Sequence, residues 1–218
     1  MIDACREIVG DGRKDDQATA KEVQSERDAW LSQWRAKLSS SEVPMTPFRV
    51  IWDLMHTIPP DDAIVTHDSG SPRDQITPFY RANGPRTYLG WGKSHGLGTG
   101  LGLTIGAKLA QPDKVCINFM GDAAFGMVGL DFETAVRSNI PIITVVLNNS
   151  TMAVETTAMA DSHRLYNTRD LGGDYADMGR AMGGYAERIE DPAHIIQAFQ
   201  RARRVTEDEG KAVLLARK

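Results

Sequence analysis

The residues best placed to do chemistry are Asp122, where the apolar run KVCINFM gives way to GDAAFG, and Asn148 and Asn149, which close the apolar run PIITVVLN. A carboxylate and a side-chain amide oxygen are hard oxygen donors of the kind Mg²⁺ prefers, with coordination positions left for phosphate oxygens and water. Ala123 and Ala124 are small enough for a diphosphate to approach backbone N–H groups and the positive end of the helix that follows. Metal and diphosphate would then neutralise each other. Taken singly, Asp122 reads as a helix cap and the asparagine pair as a turn, both common habits of these residue types. Taken together their spacing is more telling, because 24 residues, Ala124 to Leu147, separate GDA from NN. A strand, a helix and a parallel strand fit that interval and bring both strand ends to one edge of a sheet.

The elements on either side agree with such a sheet. From about Met45 onward strand-like and helical segments alternate: a helix through Phe48, Ile51, Trp52 and Met55, the strand AIVTHD, the helix GLGLTIGAKLA, the strand KVCINFM, the helix FGMVGLDFETAVRSN and the strand PIITVVLN. Then follow the helix DYADMGRAMG, the strand YAERI, the helix DPAHIIQAFQRARRV with Asp191 as N-cap and Pro192 at its first position, and the strand KAVLLARK. The strands are continuous apolar runs, as strands buried on both faces require. The fold class is therefore α/β: a mostly parallel, doubly wound sheet with helices on both faces. Residues 1–44 read differently, as a helical extension in which Val23, Trp30, Leu31, Trp34 and Leu38 recur at helical spacing, and SSSEVPMTP marks the boundary with a domain at 45–218.

Other motifs fail on inspection. GWGKS lacks the first glycine of a phosphate-binding P-loop, because Thr87 stands in its place. The glycines of GLGTGLG, Gly96 to Gly102, do not give a dinucleotide fingerprint. His56, His67, His95, His163 and His194 lack zinc-ligand spacing, and no Gly-x-Ser-x-Gly elbow occurs. A formal net charge of -4 without a basic run argues against nucleic acid as a partner. No apolar stretch approaches the roughly 20 residues of a membrane span, and two cysteines, Cys5 and Cys116, make no disulfide framework. A cytoplasmic protein that binds neither nucleic acid nor membrane is the expectation.

GDA, the interval and NN resemble the signature of thiamine diphosphate-dependent enzymes, which is GDG, a stretch of comparable length, then NN. The resemblance runs from about Val43 to the C-terminus and is to the diphosphate-binding domain of the acetolactate synthase, benzoylformate decarboxylase and pyruvate decarboxylase group. It implies thiamine diphosphate and Mg²⁺ as cofactors. Asp122 and Asn149 would bind the metal through side-chain oxygens and Thr151 through its main-chain carbonyl, with Gly121, Ala123 and Ala124 along the diphosphate. Leu97 would be the bulky apolar residue beneath the cofactor that bends its two rings towards each other, and His95 would hold the 4′-amino group through its carbonyl. Ser69 and Met152, Ala153 and Val154 would line the cofactor. The sequence departs from the signature at Ala123, which alanine tolerates unless φ must be positive.

In that family a glutamate on a preceding pyrimidine-binding domain activates the cofactor, and this sequence has no counterpart. The resemblance thus implies a partner domain from the same or a neighbouring chain, a homo-oligomer, and a lyase or carboligase for 2-oxo acids or aldehydes that is inactive as this chain alone. Residues 1–44 would then be the tail of a middle domain, and the catalytic residues stay unassigned. Glu155 stands where pyruvate decarboxylases use an active-site glutamate, and also reads as a surface residue. His163, Arg164 and Tyr166, in the segment after the metal loop, are candidates for substrate contact if that segment is a cover, and plain surface otherwise. The alternative from another class is a noncatalytic flavodoxin-like module that binds metal or phosphate for regulation.

Overall fold

The computed structural model describes residues 3, 4, 7, 17–90 and 96–217, so Cys5, His95 and most of GWGKS lie outside the described residues. The chain divides into two compact units, Met1–Ala36 and Lys37–Lys218. The first carries most of helix α1 (Gln17–Leu38), in which Trp30 and Trp34, one turn apart, pack ring against ring with centroids 5.9 Å apart.

The second unit is built on six strands: β1 (Ala63–His67), β2 (Tyr88–Leu89), β3 (Val115–Gly121), β4 (Ile143–Leu147), β5 (Tyr185–Ile189) and β6 (Val213–Arg217). All pair in parallel, in the order β2–β1–β3–β4–β6–β5. Parallel pairing puts every C-terminal strand end on one edge. Gly121 lies opposite Leu147, and Leu147 opposite Arg217.

Helices cover both faces. On one face α4 (Thr99–Ala110), α5 (Asp122–Val128), α6 (Leu130–Arg137) and α8 (Tyr175–Ala181) bury Leu101, Phe125, Phe132 and Ala176 against Cys116, Met120, Val146 and Leu214. On the other lie α2 (Pro47–Thr57), α3 (Ser71–Ile76) and α9 (Ile195–Asp208), over Ile117, Phe119, Val145 and Leu215. Successive residues of one strand thus serve opposite cores. This is why the strands are apolar throughout and show no alternation. No helix of the described residues is long and apolar enough to cross a membrane.

Local signals start the helices. Thr46 accepts a hydrogen bond from Arg49 N–H at 3.1 Å, with Pro47 at the first position of α2. Asp191 accepts one from Ala193 N–H at 2.8 Å, but the turn it caps, Pro192–His194, is 3₁₀ and passes into α9 only at Ile195. The segment expected as one helix through FGMVGLDFETAVRSN begins earlier, at Asp122, and is two helices. Gly129 N–H reaches back to Phe125 O at 2.6 Å and Phe132 N–H to Gly129 O at 3.0 Å, so the ladder restarts there. The short β2 and α3, and α7 (Ala160–Tyr166), carry no apolar period of their own and are absent from the sequence reading.

Helix α9 buries Ile195, Phe199, Ala202 and Val205 along one stripe, with Phe199 only 1% exposed. Phe199→Ala is expected to destabilise the fold by about 3–5 kcal/mol, read as a lower urea midpoint with an unchanged slope.

Candidate functional site

The C-terminal edge of the sheet opens into a cleft of about 220 Å³. Its walls are the ends of three strand-to-helix loops. After β1 come Ser69 and Pro72, after β3 Gly121 to Ala124, and after β4 Asn149 and Thr151 to Glu155; Leu97 and Arg217 complete it. Of the residues expected to hold the metal or the cofactor, all but His95, which lies outside the described residues, line this one cleft.

Asp122 is 3% exposed and opens α5. Its Oδ1 accepts from Ala123 N–H at 2.9 Å and its Oδ2 from Ser150 N–H at 2.6 Å. The second bond crosses from β3 to the loop after β4. Burial pushes the Asp122 carboxyl up from the ordinary range, against the pull of the N–H groups of Ala123, Ser150, Asn149 and Thr151. An ionised carboxylate here is costly until a cation joins it. Ala123 lies within α5 and has no positive φ, so its methyl group is compatible with the backbone at the third position of GDA.

The two asparagines divide the work. Asn148 is buried, and its Oδ1 accepts from both Ser150 N–H, at 2.9 Å, and Ser150 Oγ–H, at 3.2 Å. That brace holds Ser150 at φ +57, a conformation that favours glycine or asparagine. Asn149 is exposed on the cleft, its Oδ1 accepting from Thr151 N–H at 3.2 Å with a lone pair to spare. A second chain segment pins the loop: Met152 N–H donates to Arg169 O at 2.9 Å and Leu171 N–H to Ser150 O at 3.0 Å. Asp122, Asn149 and Thr151, from two neighbouring strand ends, thereby line the cleft together.

Leu97 is placed by a carboxylate that the sequence reading passed over. Asp68, fully buried at the end of β1, accepts from Ser69 N–H at 2.7 Å, Gly98 N–H at 2.8 Å and Gly100 N–H at 3.0 Å. This explains two of the glycines of GLGTGLG, Gly98 and Gly100. Gly98 has φ +98, and a Cβ there would stand 2.4 Å from Val128; a Cβ on Gly100 would stand 2.5 Å from Asn118 Oδ1. Beneath them Thr66 donates towards Gly100 O and Asn118 Oδ1, and Thr104 Oγ packs against it. The glycines bring a loop down onto β1, and Leu97 rides on that loop, half-buried against the core.

Pro72, Gln75 and Arg217 also line the cleft without having been foreseen. Asp68 had a signal in the sequence, since like Asp122 it directly follows an apolar strand; Arg217, closing KAVLLARK, had less. Glu155 lines the cleft, whereas His163, Arg164 and Tyr166 do not. They lie on α7, where Tyr166 is 75% exposed and Arg164 pairs with Asp161 at 3.4 Å.

The family described as thiamine pyrophosphate enzyme, C-terminal TPP binding domain, matches residues 68–216. Among curated proteins, the chain is 29% identical over 197 residues to an acetolactate synthase large subunit of Mycobacterium tuberculosis, covering 89% of this chain and 36% of that one. It is 29% identical over 198 residues to a sulfoacetaldehyde acetyltransferase of Castellaniella defragrans, covering 79% and 32%. The chain therefore spans about a third of the length of these relatives. Among solved structures, benzoylformate decarboxylase from Polynucleobacter necessarius shares the fold, with a TM-score of 0.67 at 21% identity over 80% of this chain and 33% of that one.

Removing the buried acceptor beside Leu97 leaves three N–H groups without their partner. Asp68→Ala is expected to cost about 3 kcal/mol or more in a denaturant titration, with hydrogen exchange at the Gly98 and Gly100 amides accelerating first.

Proposed function

Because the chain belongs to the thiamine pyrophosphate enzyme family, as its C-terminal TPP-binding domain, we propose that the cleft holds the diphosphate of thiamine diphosphate through Mg²⁺. The observation that carries this reading is the Asp122–Ser150 bond of 2.6 Å, which sets a carboxylate and the Asn149–Thr151 loop side by side at the mouth of parallel strands. The donor set suits the ion: all oxygen, with one carboxylate whose burial is only partly offset by main-chain N–H groups. Asp122 and Asn149 bind the metal through side-chain oxygens and Thr151 through its carbonyl. Gly121, Ala123 and Ala124 leave space for phosphoryl oxygens, and Ser69 with Met152, Ala153 and Val154 forms the remaining wall. Leu97 supplies apolar support for the rings, and His95 a main-chain acceptor.

When bound, the cofactor supplies the electron sink for making or breaking a bond next to a carbonyl. The chain's own part is to fix the diphosphate, neutralise its charge and hold the loop of Leu97 in place. The names of the relatives support a lyase or carboligase acting on 2-oxo acids or aldehydes. The group that activates the pyrimidine comes, on this reading, from a pyrimidine-binding domain of the same or a neighbouring chain, within a cytoplasmic homo-oligomer.

Two measurements test the reading. Titration calorimetry should show Mg²⁺-dependent binding of thiamine diphosphate, weakened more than about 100-fold by Asp122→Ala; binding that ignores Mg²⁺ or Asp122 would refute the metal assignment. Supplying a pyrimidine-binding domain, in trans or by fusion, should produce turnover of a 2-oxo acid or aldehyde that the same substitution abolishes. Cofactor binding without turnover of any such compound would favour the noncatalytic module.

A further inference from the structure

The cleft contains a cation with no assigned task. Arg217 closes β6 on the edge where Asp122 and Asn149 stand, in register with Leu147. Among the described residues lining the cleft it is the only lysine, arginine or histidine. Its Nε is buried without a hydrogen-bond partner, and its Nη1 reaches Asn148 O only at 3.5 Å. Arg49, Arg201 and Arg203 each rest on a carboxylate within 3 Å. Arg217 has no such ion pair among the described residues, although Glu155 lines the same cleft.

An arginine cannot escape burial by losing its proton, so a half-buried, unpaired guanidinium carries a desolvation cost that only an anion offsets. Burial indeed pulls Arg217 down from its ordinary value, with no opposing carboxylate. Its main chain is tied to the metal loop, since Arg217 O accepts from Asn148 N–H at 3.0 Å. The guanidinium Nη1 stands 3.5 Å from Asn148 O, the residue before Asn149, and Arg217 lines the cleft together with Asp122 and Asn149. A diphosphate carries more negative charge than one divalent ion shared with Asp122 neutralises. A planar fork of N–H donors matches its oxygens in pairs.

We propose that Arg217 is a second anchor for the diphosphate, donating from its Nε and an Nη to phosphoryl oxygens while the metal holds the others. This rests on the reading that a diphosphate occupies the cleft, and the test separates the two. Inorganic pyrophosphate with Mg²⁺ is titrated into the full chain and into Arg217→Gln, Arg217→Lys and Asp122→Ala. Arg217→Gln should weaken pyrophosphate binding by about tenfold or more while the Mg²⁺ requirement persists, and Arg217→Lys should fall in between.

Should the glutamine variant fail to fold, the Arg217 Nε–H signal of the native chain, assigned from its absence in Arg217→Lys, still reports the contact by shifting on addition of pyrophosphate. Affinity within twofold of native in Arg217→Gln, or an unmoved Nε–H signal, overturns the Arg217 anchor and leaves the metal reading intact if Asp122→Ala loses binding. Loss in Arg217→Gln with Asp122→Ala and Mg²⁺ withdrawal both silent overturns the metal reading and leaves an arginine anion site. No binding of pyrophosphate by the native chain overturns both. If Arg217→Gln instead raises only the KM of a carboxylate substrate in the reconstituted enzyme, the anion recognised is the substrate's and the diphosphate assignment falls.

Discussion

The hydrogen bond from Ser150 N–H to Asp122 joins the loop after β4 to the first residue of α5, and it depends on β3 and β4 being parallel neighbours with Gly121 opposite Leu147. A shift of one residue in that register would turn alternate side chains to the wrong core. The two apolar faces therefore hold the site in register. Asn148 extends the constraint to β6 through its bond to Arg217 O, so three strand ends are locked into one rim.

Two carboxylates at strand ends meet different fates on that rim. Asp68 is enclosed, accepts three main-chain N–H bonds and has no exposure to the cleft. It is a structural clamp that brings the glycine loop onto β1. Asp122 makes similar bonds but lines the cleft, retains acceptor capacity and is pushed up by burial. The same division separates Asn148, spent on bracing Ser150, from Asn149, which faces the cleft. The member of each pair that faces the cleft is the one whose hydrogen-bonding capacity the fold leaves incomplete.

The long elements were legible because their signals are local. Continuous apolar runs marked β1, β3, β4 and β6, and the Asp191–Pro192 pair marked a helix start, although its first turn proved to be 3₁₀. The break at Gly129 was not legible, since it arises from one misplaced turn and leaves the apolar period intact. The two-residue β2 exists only because β1 offers it an edge. The segment carrying His163, Arg164 and Tyr166 read as a possible cover, yet these residues stand away from the cleft.

The sequence by itself determined the parallel α/β architecture and the convergence of Asp122 with the asparagine pair, because strand burial and the length of a crossover are written in residue type and spacing. The tertiary structure alone decided which asparagine faces the cleft, why Gly98 and Gly100 must be glycines, and that Arg217 lines the cleft with no ion pair among the described residues. Those outcomes depend on contacts between strand ends far apart in the chain, where a hydrogen bond or a missing Cβ has no local signature.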